Sequence, residues 1–234
     1  MKYRFGSLNK YYKYRISKSL KIKSILSKFK NIKKCKILDV GTGSGVIAYN
    51  IAKSSKYVFS VDIYDHRIYS KGYVFKKVDS EILPFKNNYF DIVISNHVIE
   101  HVKNPRLHIA EIKRILKKDG IFYLATPNKY WIIEPHYRLP FLSIVPKNLA
   151  NLLIRLKPRS FFKVYPYCYL DKNFYKENLF SYNKLIKLLK KDFYIKDVSI
   201  EYFKNNKFYI LYRSFRYFLN YLLPSYILIL TKKH

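Results

Sequence analysis

Cysteine, methionine and tryptophan are nearly absent from this chain: two, one and one among 234 residues. Two cysteines, Cys35 and Cys168, cannot build a disulfide framework, and no short-spaced set of Cys and His suggests zinc. Neither cross-links nor a structural metal is expected to hold the fold. Long apolar runs are missing as well. No stretch of 18 apolar residues occurs, and the most apolar segment, 222–230, is short and interrupted by Pro224. The basic N-terminus lacks the continuous apolar region of a secretory signal. A cytoplasmic protein is the expectation.

Acidic residues are also scarce, with 15 Asp+Glu against 46 Lys+Arg and a formal charge of +31. A field of that size favours nucleic acid, anionic lipid or an acidic substrate. The excess, however, is mostly Lys and comes with abundant Asn, Ile, Tyr and Phe, all residues with AT-rich codons. Base composition accounts for it without a nucleic-acid partner, and the basic residues run along the whole chain instead of marking one face.

Only six glycines are present, and three of them fall in one turn, Gly41-x-Gly43-x-Gly45. A short apolar strand, Ile37–Val40, leads into this turn and a helical pattern leaves it, the arrangement by which an α/β domain holds a nucleotide-like ligand. Without Cβ atoms, glycines permit positive φ and let a ligand approach the backbone closely. Tyr57–Val61 reads as a second strand ending in Asp62, which is placed to accept from both ribose hydroxyls. A third strand, 73–78, ends in Asp79. Tyr89–Ser95 and Gly120–Ala125 follow as the fourth and fifth. Between those two lies a helix with Asn104 as cap, Pro105 in its first turn, Ile109, Ile112, Ile115 and Leu116 on one face, and Lys117-Lys118 at its negative end. Strands alternating with helices predict a Rossmann-like, doubly wound sheet, mostly parallel, with ligands beyond the carboxyl ends of its strands.

These segments resemble the class I S-adenosylmethionine (SAM) dependent methyltransferases, in their type 11 small-molecule branch. ILDVGTGSG at 37–45, VDI at 61–63, VDSEILPF at 78–85, FDIVISNHVIEHV at 90–102 and LKKDGIFYLATPN at 116–128 occur in the family's order and spacing. The resemblance implies seven mostly parallel strands with helices on both faces, and SAM as cofactor. It implies that Gly41 and Gly43 face the methionine part of SAM, with Gly45 completing the turn and Asp39 either orienting that turn or touching the ligand. Asp62 would hold the ribose, Ile63 would lie on the adenine, and Asp79 with Ser80 would read the adenine edge. Ser95 and Asn96 would line the opening where methyl meets acceptor. A nicotinamide site fits less well, because its usual turn is Gly-x-Gly-x-x-Gly and position 46 here is Val.

Direct methyl transfer needs no metal and no covalent intermediate, and a base only where the acceptor must lose a proton. His97, His101 and His136 are candidates, with His101 best placed, whereas His66 and His108 read as surface residues and Asp91 as a solvated strand start. The chain is expected to form one domain, 1–234. A basic helical lead-in, 1–30, covers the cofactor edge, and an insert, 129–178, lies where the family places its substrate cap. Trp131, His136, Tyr137 and Arg138 are the substrate candidates there, followed by a helix near 146–156 and an aromatic-basic stretch at 159–167. Ser181 caps a further helix, 193–200 reads as strand six, 205–223 as a helix and 226–230 as the last strand. The expected function is methyl transfer to a small or lipid-linked metabolite, at oxygen, with peripheral contact to anionic membrane as one setting. An RNA methyltransferase and a non-catalytic SAM-fold binding module are the alternatives. Ser95-Asn-His-Val98 is unlike the Asn-Pro-Pro-aromatic signature of base amino-methylation.

Overall fold

The computed structural model describes residues 8–134, 139–156, 178–202 and 223–233. Its elements are α1 (Leu8–Ser27), β1 (Lys36–Val40), α2 (Val46–Ala52), β2 (Tyr57–Asp62), β3 (Val74–Lys77), β4 (Phe90–Asn96), α3 (Pro105–Ile115), β5 (Leu116–Pro127), α4 (Lys147–Arg155), α5 (Tyr182–Leu189), β6 (Phe193–Asp197), α6 (Ser199–Tyr202) and β7 (Ser225–Lys232). The seven strands form one sheet in the order β3-β2-β1-β4-β5-β7-β6, with β7 antiparallel to both its neighbours and the other pairs parallel. From β1 the chain first builds outward through β2 and β3, then returns to place β4 on the other side. The carboxyl ends of β1 and β4 therefore flank the crevice in which such sheets bind ligands.

Side chains alternate across the sheet, so each strand feeds two apolar layers. Leu38, Val93, Phe122 and Leu124 face α3 and α5, where Ile109, Ile112, Leu185 and Leu189 meet them. Ile37, Val58, Ile92 and Ile94 face the opposite way, onto Ile22 and Leu26 of α1 and Ile47 and Ile51 of α2. Burying each of these branched side chains contributes roughly 1.5–3 kcal/mol, enough to fix which helix covers which face.

Several boundaries differ from the pattern-based expectation. Helix α3 begins as expected, with the Asn104 side chain accepting from the N–H groups of Arg106 and Leu107, but it stops at Ile115. Leu116 is extended and fully buried and opens β5, pairing with Phe90. Lys117 and Lys118 are thus strand residues, and the Lys117 ammonium sits 2.7 Å from Asp91, whose other oxygen accepts from the Lys36 N–H at 2.8 Å. Asp91 is therefore a tie between β1, β4 and β5. Strand six ends at Asp197, because the Asp197 carboxylate accepts from the Ser199 N–H at 2.9 Å and turns the chain into α6. No helix separates β2 from β3 or β3 from β4. The helix expected at 205–223, apart from Leu223, and the stretch at 159–167 lie outside the described residues.

Candidate functional site

The carboxyl edge of the sheet gathers most of the residues that the sequence singled out. Hydrogen bonds from the Gly41 and Thr42 N–H groups to the Val61 carbonyl, at 2.9 and 3.2 Å, tie the glycine turn to β2. All three glycines have positive φ, at 72°, 52° and 79°, but they do different work. A Cβ on Gly41 would collide with the Val98 side chain, and one on Gly45 with the Tyr69 carbonyl and the Tyr73 hydroxyl. Gly45 is buried beneath the 64–73 segment, which is fastened by the Ile68 and Tyr69 N–H groups to the Ser44 carbonyl. The space of a Cβ is occupied by this chain, so packing requires a glycine there. Gly43 alone opens outward, with nothing but an Arg15 nitrogen, 3.8 Å away, near the position of a Cβ.

Asp62 stands at the end of β2 beside that opening. Its carboxylate accepts from the Gly43 N–H at 2.8 Å and from the Tyr64 N–H at 3.2 Å. A carboxylate offers about four acceptor positions, so capacity remains for a diol. Ile63 follows with half its surface exposed, as do the exposed Asp79 and Ser80 past β3. Asp39 is buried, at 1% exposure, and one carboxylate oxygen has no hydrogen-bond partner. Burial pushes its pKa up to about 7, with Asp62 adding to the rise while the Arg15 guanidinium and the Ala48 N–H oppose it.

At the end of β4, Asn96 is buried with an unpartnered side-chain oxygen, whereas the Ser95 hydroxyl lies 3.1 Å from Nε2 of His108 on α3. The Ser95 side chain therefore does not line the opening. His108, expected on the surface, is 2% exposed, because its position on α3 falls on the face that meets β4. Burial holds its pKa down at about 4, against the pull of Glu81 and Glu100. Next to Asn96, His97 adopts a left-handed φ of 59°, a strained conformation of the kind that collects at functional sites. Its Nδ1 faces Glu100 at 3.4 Å. Glu100 is fully buried, accepts from the Thr126 hydroxyl at 3.2 Å and has its pKa lowered, since the contacts with His97 and the fields of His97 and His101 outweigh its burial. The sequence reading passed over Glu100 as a separate group; the signal was a carboxylate in the apolar run Val98-Ile99-Glu100, where an unpaired charge would be too costly to keep.

His101 is exposed in the turn after β4, and Trp131 is partly buried in the turn after β5, its backbone N–H donating to the Asn128 carbonyl. His136, Tyr137 and Arg138 lie outside the described residues. Among the described residues no group of three His, Cys, Asp or Glu side chains could hold a metal ion.

The buried His108 makes stability depend on pH. Its folded pKa lies below the unfolded value of 6.5, so its neutral form is fully accommodated above 6.5 and stability is lost as pH falls toward 4, by ~3 kcal/mol in all. Asp39, raised from 3.8, acts in the opposite sense, costing stability as pH rises from 3.8 to about 7. Urea unfolding at pH 7.5 and 4.5 should separate them: His108→Gln flattens the acid loss, and Asp39→Asn steepens it. Identical pH slopes for wild type and His108→Gln would remove His108 from this role.

The sheet order, the glycine turn and the acids at and just beyond the ends of β2 and β3 form the arrangement in which a doubly wound α/β domain holds a nucleotide-like ligand. Residues 38–124 match the family model described as a methyltransferase domain. The chain is 33% identical over 154 residues to the ubiquinone biosynthesis O-methyltransferase of Rickettsia canadensis, covering 61% of this chain and 65% of that protein. It is 30% identical over 150 residues to the protein of the same name from Pelagibacter ubique, covering 58% of this chain and 61% of the relative. The chain thus spans less than two thirds of the length of these curated relatives. Among solved structures, a SAM-dependent methyltransferase from Mesorhizobium loti superposes with a TM-score of 0.56 at 11% identity, covering 90% of this chain and 96% of the other. That likeness is one of fold.

Proposed function

We propose that this protein transfers the methyl group of SAM to an oxygen of a small or lipid-linked metabolite. The observation that carries the reading is the Asp62 carboxylate, with acceptor capacity to spare, beside the one open glycine, Gly43. The names of the relatives point to oxygen as the acceptor atom. Gly41 and Gly43 would pass the methionine part of the cofactor, Asp62 would take the ribose, Ile63 the adenine face, and Asp79 with Ser80 the adenine edge. SAM, when bound, supplies an electrophilic methyl on a positive sulfur. The chain's task is then to align an acceptor with it and exclude water, and alignment of this kind can account for roughly 7–11 kcal/mol of barrier.

A hydroxyl acceptor must give up its proton. His101, exposed in the turn after β4, and His97, against the buried Glu100, are the groups to receive it, and a carboxylate partner stabilises the imidazolium that forms. The cap offers apolar surface to match a lipid-linked acceptor: Ile132, Ile144, Leu149, Leu152 and Leu156 are all exposed by 44% or more. No helix among the described residues is long and apolar enough to cross a membrane. Contact with anionic lipid would thus run through this cap and its basic residues, among them Arg155.

Incubation with methyl-tritiated SAM and a polyprenylated dihydroxybenzene in anionic vesicles, a short-chain analogue in solution, or bulk RNA tests the reading. Label is expected in the phenolic acceptors and not in RNA. His97→Ala or His101→Ala should lower kcat by about 10²–10⁴ for the residue that takes the proton, and a variant with full kcat is relieved of that role. Label in RNA alone would overturn the small-molecule assignment.

A further inference from the structure

The geometry points to a second ligand site, at the amino-terminal edge of the sheet and so at the opposite end from Asp62: a groove that binds a small phosphorylated anion, a phosphate or pyrophosphate group, through Lys113, Lys232, Asn87 and Asn88. Nothing in it requires the SAM reading. Four segments meet there. The loop before β4 brings Asn87 and Asn88, the last turn of α3 brings Lys113 and Arg114, Asp192 precedes β6 and Lys232 ends β7; together they line a cavity of about 370 Å³. That volume falls within the range of roughly 300–1,000 Å³ typical of small-ligand sites. The loop is fastened to the end of α3, with the Asn88 N–H on the Arg114 carbonyl at 3.0 Å and the Tyr89 N–H on the Ile115 carbonyl at 2.7 Å.

What this groove offers is almost wholly hydrogen-bond donors. An ammonium or guanidinium can only donate, so each asparagine turns its side-chain oxygen to a cation. Asn88 Oδ1 accepts from Lys232 at 2.9 Å, and Asn87 Oδ1 accepts from Arg114 at 2.9 Å. Both amides are left with an NH₂ group that has no partner among the described residues. Arg114 is saturated, because Glu111, the Leu83 and Phe85 carbonyls and Asn87 take all its donors, so it shapes the loop instead of serving a ligand. The carboxylate of the groove, Asp192, is held by Lys113 at 2.7 Å. Both ammonium groups keep N–H donors to spare, and among the described residues Lys232 makes no ion pair. Burial, and after it the fields of Lys113 and Lys118, hold the Lys232 pKa below its ordinary value. An anion seated among these groups would relieve that repulsion and take up the spare donors. Donors arriving from four side chains suit a tetrahedral phosphate, whose oxygens point in different directions, better than a planar carboxylate.

Calorimetric titration of the full chain with pyrophosphate, at constant ionic strength to fix the screening of its charge, tests the site. Wild type should bind, Lys232→Gln should weaken binding at least tenfold, and Asn88→Gly at least threefold. Glycine accepts the left-handed φ of 52° at position 88 while removing the amide, so this variant keeps the test open where Lys232→Gln does not fold. Lys77→Gln, which removes an exposed charge from the carboxyl end of β3, should stay within twofold of wild type. If wild type does not bind pyrophosphate, if the groove variants bind it as well as wild type, or if Lys77→Gln weakens it equally, the proposal is overturned. Inorganic phosphate and a soluble short-chain phosphatidic acid then separate the sources: tighter, Lys232-dependent binding of the lipid assigns the groove to a headgroup, and tighter binding of inorganic phosphate to a free anion. Lys232-dependent binding of oligouridylate without any binding of pyrophosphate would make the groove a contact for a nucleic-acid backbone and overturn the small-anion site.

Discussion

Replacing Asp62 with alanine is expected to cost the protein nearly all of its cofactor affinity. The carboxylate would make two charge-assisted hydrogen bonds to ribose hydroxyls, each contributing roughly 1.5–3 kcal/mol. It also holds the Gly43 N–H at 2.8 Å, so the shape of the turn depends on it. A total loss of ~3 kcal/mol is about a hundredfold in affinity. The measurement is thermal unfolding with S-adenosylhomocysteine. Ligand at ~100 times its dissociation constant adds roughly 2.7 kcal/mol to the wild type, and the same concentration would add only ~0.4 kcal/mol to Asp62→Ala. Asp62→Asn keeps an acceptor for Gly43 and should fall between. NADH is the control: a shift with NADH and none with S-adenosylhomocysteine would mean that the site holds another nucleotide. An undiminished shift in Asp62→Ala would take the ribose away from this residue.

The largest loss of stability is expected at Gly45 rather than at the glycine nearest the ligand. A methyl group there meets the Tyr69 carbonyl and the Tyr73 hydroxyl, and φ is 79°. Backbone cannot yield as a flexible side chain does, so overpacking and left-handed strain together give about 3 kcal/mol for Gly45→Ala. In a chain of this size that lowers Tm by roughly 6–12 °C. Gly43→Ala has room and bears only the strain of φ, on the order of 1–2 kcal/mol. Its added methyl, however, enters the space between the turn and Arg15. The expected pattern is thus crossed: Gly45→Ala loses the more stability yet binds S-adenosylhomocysteine when folded in the cold, and Gly43→Ala, lowered in Tm by only roughly 2–8 °C, binds poorly. Should Gly45→Ala melt within 2 °C of wild type, the 64–73 segment does not pack on the turn as described.

The two glycines show where a linear pattern stops being informative. Both sit in the same short turn with similar positive φ, and spacing gives them the same reading. They differ only in what the chain places above them, the Tyr69 carbonyl in one case and open space in the other. The same holds for the histidines. His108 reads as a surface residue along the chain, but its place on α3 carries it inward against Ser95, whereas His101, in the turn after β4, is exposed. Lys117 and Lys118 were read as the end of a helix because residues three and four apart continued its face through Leu116. Tertiary pairing of Leu116 with Phe90 decided otherwise, since a buried strand satisfies both backbone and side chain there.

Local chemistry did determine a good deal. Only glycine fits the three positive φ values of the turn without strain, only a short capping side chain such as Asn104 satisfies the first N–H groups of α3, and alternating apolar residues in β1, β2, β4 and β5 can bury both their faces only in a covered sheet. Those are constraints among neighbours in the chain, and the sequence carries them directly. The strand order, the antiparallel β7 between β5 and β6, the burial of His108 and Glu100, and the meeting of Arg15 with Gly43 and Asp39 are decided by tertiary structure. Each depends on the packing of segments that are distant along the chain, and the free energy of a buried charge or a filled space is set by what arrives from elsewhere in the molecule.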